Sequence, residues 1–377
     1  MKKMGRAALH DLMGDFFLFR SLEPLDVRLR GLPELHQKLQ LQENSIPRKV
    51  EPEYGQVVAE ILKNAHHLIQ PDLRLDTLLY IGDTPGSDLQ AFRNICRAGN
   101  WSGAAFIGKD VPQPAEVEIQ KSGNRLEVRA DRWSALKNFF QILDEEKLEV
   151  GRNAVVLIDV DKTILGARGR NDHLINQARI EAVRSTLAAA LGKKFVLEEF
   201  EASYQEINQN KYHFFTADNQ DFVAYICLII GSDLISRKNL IEKLNDGEFK
   251  GFDAFLDWID ERKSGLNDEL RDLHKRFFQR VRAGDPTPFK EFRREEFRQT
   301  VQRMGTADVG LPAVELLNTE IVITGEVFMA ARMLAEQGAV LFGLSDKPDE
   351  ATLPGVEEPD QLPLHKIQTH IVGSGDY

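Results

Sequence analysis

The densest chemistry in the chain lies in the segment VVLIDVDKTIL, where Asp159 and Asp161 follow an apolar strand and Thr163 comes two residues later. At the carboxyl end of a parallel strand, where open α/β sheets bind ligands, Asp159 would point into a crevice. Alternation would bring Asp161 near the same place. Two carboxylates so placed can divide the work of phosphoryl transfer. One attacks phosphorus to form an aspartyl-phosphate; the other protonates the leaving oxygen and later activates water. Their mutual repulsion calls for a cation, and oxygen ligands select magnesium. The competing reading is structural: the aspartates cap the next helix and complete a turn.

A second segment, TLLYIGDTPGSDLQAF, ends another apolar strand in Gly82 and Asp83, followed by a small-residue turn and Asp88 at a helix start. Gly82 and Gly86 would allow a tight backbone approach. Asp83 is placed like a metal ligand, and Asp88 could hold the metal's water or a neighbouring ligand; as a plain alternative, Asp88 is an ordinary N-cap. Ser345 ends the strand AVLFGLS, where its hydroxyl and an adjacent backbone N–H could hold a phosphoryl oxygen. Lys49, just before Glu51 and Pro52, could neutralise the phosphate and the nucleophile. Lys347, two residues beyond Ser345, competes for that role.

These residues need elements to position them. From 57 to 108 the pattern alternates helix (VVAEILKNAHHL), strand (TLLYIG), helix (DLQAFRNICRAG) and strand (GAAFIG), which predicts βαβ units and a parallel sheet. A strand RLEVRA, a helix RWSALKNFFQILDEEKL and the apolar strand AVVLIDV follow. From 171 to about 305 the texture is helical, with apolar residues at three- and four-residue steps in INQARIEAVRSTLAAALG, FDAFLDWIDERK and LNDELRDLHKRFFQRVR. The stretch 222–230 reads as a buried helix. Arg293, Arg294 and Arg298 alternate with glutamates as a solvated helix face would. Alternation then returns with the helix VFMAARMLAEQG and the strands AVLFGLS and HKIQTHIVG. The spacing therefore predicts an α/β, doubly wound parallel sheet interrupted by a helical insertion: residues 1–165 and 318–377 form the α/β core, with the nucleophile strand in 153–165, and 166–317 the helical part.

The 377 residues suffice for such a two-part chain. A net charge of −11 argues against nonspecific binding to nucleic acid or an anionic membrane, and no apolar run has the roughly 18 residues of a membrane helix. Acidic residues interrupt the apolar patch after the basic N-terminus, which argues against a secretory signal. Two distant cysteines, Cys96 and Cys227, fit a reducing cytoplasm rather than a disulfide framework or a zinc site.

On these motifs the chain resembles the haloacid dehalogenase-like superfamily. The family's first motif, two aspartates flanking one residue and then Thr, is matched by Asp159-Val160-Asp161-Lys162-Thr163. Its second, a Ser or Thr after an apolar strand, is matched by Ser345, and its third, a lysine, by Lys49. Its fourth, Gly-Asp with another Asp after four intervening residues, is matched by Gly82, Asp83 and Asp88. The resemblance covers the α/β parts and not the helical block. Here the fourth motif precedes the first, so the order is circularly permuted. It is restored if the C-terminal strand, 367–372, is followed by the segment around Lys49. The resemblance implies a helical cap inserted after the first motif, with Lys211, Tyr212 and His213 among its candidate contacts. It also implies a magnesium-dependent phosphatase acting on a small phosphorylated metabolite. Asp159 would be the nucleophile, Asp161 the acid and base, Thr163 an orienting group, and Ser345 and Lys49 the phosphate binders. Asp159, Asp161, Asp83 and Asp88 would form the metal site. Dehalogenation does not call for Asp161. A phosphotransferase would use the same residues, and a catalytically inactive binding or scaffold protein could keep the fold.

Overall fold

Apolar runs become strands wherever both of their faces can be covered. The computed structural model describes residues 1–41 and 46–375. Its strands are β1 (Lys2–Ala7), β2 (Phe17–Leu18), β3 (Thr77–Gly82), β4 (Ser102–Gly108), β5 (Val117–Ser122), β6 (Arg125–Ala130), β7 (Ala154–Asp159), β8 (Ile323–Thr324), β9 (Val340–Leu344) and β10 (Thr369–Gly373). Seven of them form one sheet in the order β2-β9-β7-β3-β4-β6-β5. All neighbours in it are parallel except the β5–β6 hairpin. Every residue of β3, β7 and β9 is buried, as near-continuous apolar strands of a two-sided parallel sheet require.

Helices cover both faces. On one, Val58 and Leu62 of helix Pro52–Ile69 and Phe92 and Ile95 of helix Pro85–Gly99 pack with Leu78, Tyr80, Val155, Leu157 and Phe342. On the other, Phe106 meets Trp133 and Phe139, with ring centroids 6.3 and 5.6 Å away. Those rings come from the 3-10 turn Trp133–Ala135 and helix Leu136–Glu145, which packs beside helix Gly325–Glu336. Each fully buried Leu, Ile or Phe in these seams contributes about 1.5–3 kcal/mol of transfer free energy.

The C-terminal strand is not where the restored motif order would put it. β10 leaves the main sheet and forms a separate three-stranded sheet, antiparallel to β1 and parallel to β8. The place beside β9 is taken by β2, with Phe17 opposite Gly343 and Leu18 opposite Leu344. The apolar patch 16–19 explains the exchange, since Phe17 and Leu18 are fully buried there. Gly343 makes room: a Cβ on it would lie 2.3 Å from the Phe17 ring. Lys2 lies opposite Gly373, so the first and last strands are neighbours.

The chain divides into two units, 1–177 with 300–377, and 178–299. The flanks 166–177 and 300–317, read from sequence as part of the helical block, fold with the α/β unit. Buried Asn171 donates to Leu317 O and Glu320 O at 2.7 and 3.0 Å and accepts from Val322 N at 3.0 Å. Arg170 forks onto Glu326 at 2.8 and 3.0 Å. In the helical unit, helix Gln220–Gly231 runs through an aromatic-rich core, and Phe222 and Tyr225 stack on Phe252 and Phe277 at 3.8 and 3.9 Å. Arg293 departs from the solvated face that its spacing predicts. It is buried, with its guanidinium 2.5 Å from Asp221 and 2.7 Å from Glu296. The two carboxylates are themselves buried, and buried charges persist only when paired. Among the described residues no helix is long and apolar enough to cross a membrane.

Candidate active site

Crossovers leave the adjacent strands β3 and β7 in opposite directions, toward β4 and β9 respectively. The carboxyl ends of β3 and β7 therefore flank a topological switch point, the expected ligand crevice of such a sheet. β7 ends in Asp159, β3 is followed by Asp83, and β9 by Ser345.

Asp83, Asp88 and Asp159 are all buried, and each offers one carboxylate oxygen within 4.8 Å of the others. Lys49 Nζ sits between two of them, 2.6 Å from Asp159 Oδ1 and 2.9 Å from Asp88 Oδ1. Thr163 Oγ1 donates to Asp159 Oδ2 at 3.1 Å. The segment holding Lys49 is tied down on both sides. Arg20 donates to Pro47 O and Ile46 O at 3.0 and 3.4 Å. Asn94 Nδ2 donates to Val50 O and Glu51 O at 3.2 and 3.0 Å. Helix Pro52–Ile69 can approach helix Pro85–Gly99 this closely because residue 55 is glycine; a Cβ there would lie 2.5 Å from the Asn94 carbonyl carbon.

Asp88 spends both its oxygens on protein donors. Oδ1 accepts from Lys49 and from the Tyr80 hydroxyl at 3.1 Å, and Oδ2 accepts from the backbone N–H of Asp83 and Thr84 at 3.0 and 2.9 Å. It thereby fixes the loop that presents Asp83. Gly82 is required for this approach, since a Cβ there would lie 2.6 Å from Asp88 Oδ2. Gly86 is not, because a Cβ on it meets nothing within 4 Å. Asp83 accepts from Thr84 Oγ1 at 3.2 Å and pairs with the Arg168 guanidinium, which also donates to Thr84 Oγ1 at 3.0 Å.

The Asp161 carboxylate lies outside the three-carboxylate cluster and is partly exposed, with Lys347 Nζ 3.6 Å away. The turn that carries it closes through Ile164 N to Asp159 O and Leu165 N to Val160 O, and Lys162 has a left-handed φ of +64°. Ser345 uses its own N–H in the sheet, donating to Leu18 O at 2.9 Å, while its Oγ accepts from Lys347 N at 3.1 Å. Thus Lys49 reaches the Asp159 carboxylate and Lys347 reaches Asp161 instead. Lys211, Tyr212 and His213 belong to the helical unit, where Lys211 and Tyr212 both contact Glu206 at 2.8 Å.

Burial disfavours the Lys49 ammonium, yet the adjacent Asp159 and Asp88 carboxylates carry its pKa well above the ordinary lysine value. Burial pushes Asp159 well up, against Lys49 and reinforced by the charges of Asp88 and Asp83. Asp83 is raised by burial and by Asp88, with Arg168 opposing. Burial also acts to raise Asp88, but Lys49 and the two backbone N–H donors hold it below the usual carboxylate value. Three buried carboxylates this close could hold a metal ion, and an all-oxygen donor set suits a hard cation.

Sequence spacing missed Tyr80, Thr84, Asn94, Arg20 and Arg168. Tyr80 had a legible signal, a polar tip in the middle of a largely apolar strand that would need a buried partner. Arg168 followed an acidic strand end at short range, but nothing in the spacing told which carboxylate it would meet. No family model matches this chain, and comparison with curated proteins and with solved structures finds no match.

Proposed function

We propose that the chain is a magnesium-dependent phosphate monoester hydrolase of the haloacid dehalogenase-like kind, working through a phospho-Asp159 intermediate. One observation carries the reading: Asp159, Asp83, Asp88 and Lys49, from separate stretches of sequence, converge at the carboxyl ends of adjacent parallel strands at a switch point. An Asp159 oxygen attacks phosphorus, the phosphorus–oxygen ester bond breaks, and Asp161 delivers a proton to the leaving oxygen. Asp161 then takes a proton from water as that water displaces Asp159 from phosphorus. Lys49 offsets charge on the nucleophile side, Thr163 orients Asp159, and the Ser345 hydroxyl is a donor for a phosphoryl oxygen. Asp83 and Asp159 would hold magnesium, whose charge would draw off the repulsion between carboxylate and phosphate. Asp88, with four donors of its own, supports that pair rather than joining it. The helical unit follows Asp159 and precedes Ser345 in sequence, which is where a substrate-selecting cap would be inserted; a small phosphorylated metabolite is the substrate class such a cap would choose.

The test is hydrolysis of p-nitrophenyl phosphate with and without magnesium. The expected result is metal-dependent turnover that Asp159→Asn abolishes; turnover that persists in Asp159→Asn would sink the proposal. The Arg168–Asp83 pair favours a second reading, a non-catalytic binding protein whose acidic site is neutralised internally. Failure to turn over any of a broad set of phosphate monoesters would leave that reading standing.

A further inference from the structure

We infer that Arg168 is a resident counter-cation of Asp83 that must be displaced when a divalent ion loads, and so sets the metal affinity of the site. The inference rests on the metal-site reading above. Its first support is the charge balance. Lys49 hydrogen-bonds Asp88 and Asp159, while Asp83 has its ion pair from Arg168. The two cations differ in how tightly they are held. The Lys49 side chain is 5% exposed and the Arg168 side chain 38%, so the guanidinium already borders water while the ammonium is enclosed.

Its second support is that the Arg168 anchor is rigid while the side chain is not enclosed. Arg168 N donates to Lys162 O at 2.8 Å, and its carbonyl accepts from Asp110 N at 3.0 Å and Trp133 Nε1 at 3.2 Å. Gly169 follows with a φ of +76°, and a Cβ there would lie 1.9 Å from Asp110 O. A guanidinium on this anchor can swing off Asp83 without the loop moving.

Oxygen accounting supplies the competition. Asp88 is saturated by four donors, which leaves Asp83 and Asp159 to bind an ion, and Arg168 Nε holds Asp83 Oδ2 while its terminal nitrogen donates to Thr84 Oγ1. An ion on Asp83 and a guanidinium on the same carboxylate repel each other. A monovalent ion would merely exchange one positive charge for another. A divalent ion adds a charge to a buried acidic site, so the exchange selects for divalent ions.

Calorimetric titration of the full chain with magnesium and manganese tests the exchange without any turnover. Arg168→Ala is expected to bind either ion on the order of 3- to 10-fold more tightly than wild type, the scale of a half-exposed pair. Arg168→Lys, which keeps the charge but not the planar fork, should lie between them. Phenylglyoxal labelling of wild type, read by mass spectrometry at Arg168, should speed up when metal is added, because loading frees the guanidinium. Equal metal affinity in wild type and Arg168→Ala, or labelling that metal slows, would overturn the exchange while leaving the metal site intact. No metal binding by either protein would overturn the site reading and the exchange together.

Discussion

Lys49 Nζ lies 2.6 Å from Asp159 Oδ1, although 110 residues separate the two in sequence. The contact joins the N-terminal part of the α/β unit to the strand that ends in Asp159, and its ammonium also serves Asp88. Removing one partner of a buried pair costs about 3–5 kcal/mol, because it strands the remaining charge. Lys49→Met is therefore expected to lower stability by about that amount, measured by chemical unfolding at pH 7. If the proposed metal site is real, magnesium should recover part of the loss, because an ion that binds only the folded state stabilises it. A loss below about 1 kcal/mol, the level of an exposed pair, would show that Lys49 is not the counter-ion of the cluster.

Gly82 and Gly86 provide a paired test of the loop that presents Asp83. Gly82→Ala forces a Cβ to within 2.6 Å of Asp88 Oδ2, whereas the same change at Gly86 meets nothing. Asp88 must then leave the N–H groups of Asp83 and Thr84, and overpacking of this kind costs about 1–3 kcal/mol. A misplacement on the order of 1 Å can cost about 10²-fold in rate. Phosphatase turnover should fall by about that factor in Gly82→Ala and stay near wild type in Gly86→Ala. Equal turnover in the two variants would refute the positioning role of Asp88.

Much of this site is legible in the sequence because Asp159 and Asp83 sit at the ends of apolar strands. A buried parallel strand announces itself by composition, and its carboxyl end is then fixed by chain direction. The sequence pattern alone therefore marks Asp159, Asp83 and Ser345 as strand-end residues. Strand neighbours are set by long-range packing instead. HKIQTHIVG reads as well as a core strand of the main sheet as it does as the partner of β1, and only the burial of Phe17 against Gly343 decides which strand lies beside β9. Charge patterning failed at Arg293 for a related reason. Its partner Asp221 is 72 residues away, so the local alternation with glutamates carried no information about burial.

The helical unit should lose stability in mild acid through His274. This ring is buried between Tyr225 OH, 2.6 Å from Nδ1, and Asp260 Oδ1, 3.1 Å from Nε2. Burial lowers its pKa below the ordinary value of 6.5, with Asp260 opposing and Lys263 assisting. A group whose folded pKa is depressed takes up protons preferentially in the unfolded chain. Its contribution is thus full above about pH 6.5 and declines as pH falls below it. The stability difference between wild type and His274→Gln should shrink from pH 8 to pH 5.5 in urea unfolding. A difference that grows toward low pH would mean that the folded state binds the proton instead.

Asn94 should govern turnover without touching substrate, because it holds the peptide that carries Lys49. Its Nδ2 donates to the Val50 and Glu51 carbonyls, and its Oδ1 accepts from Gln90 Nε2 at 3.1 Å, so both ends of the amide are engaged. Asn94→Ala removes both hydrogen bonds to these partly exposed carbonyls, at about 0.5–1.5 kcal/mol each. Asn94→Asp keeps the shape but turns lone pairs toward two carbonyl oxygens, so it should be the worse of the two in both stability and rate. Arg20→Ala loosens the same segment at Ile46 and Pro47. Variants that act on one peptide should couple, so Arg20→Ala with Asn94→Ala is expected to lose less rate than the product of the single losses. Steady-state hydrolysis of p-nitrophenyl phosphate by the three variants and the pair measures this. Strictly multiplicative losses would show that Arg20 and Asn94 act on separate parts of the site rather than on Lys49.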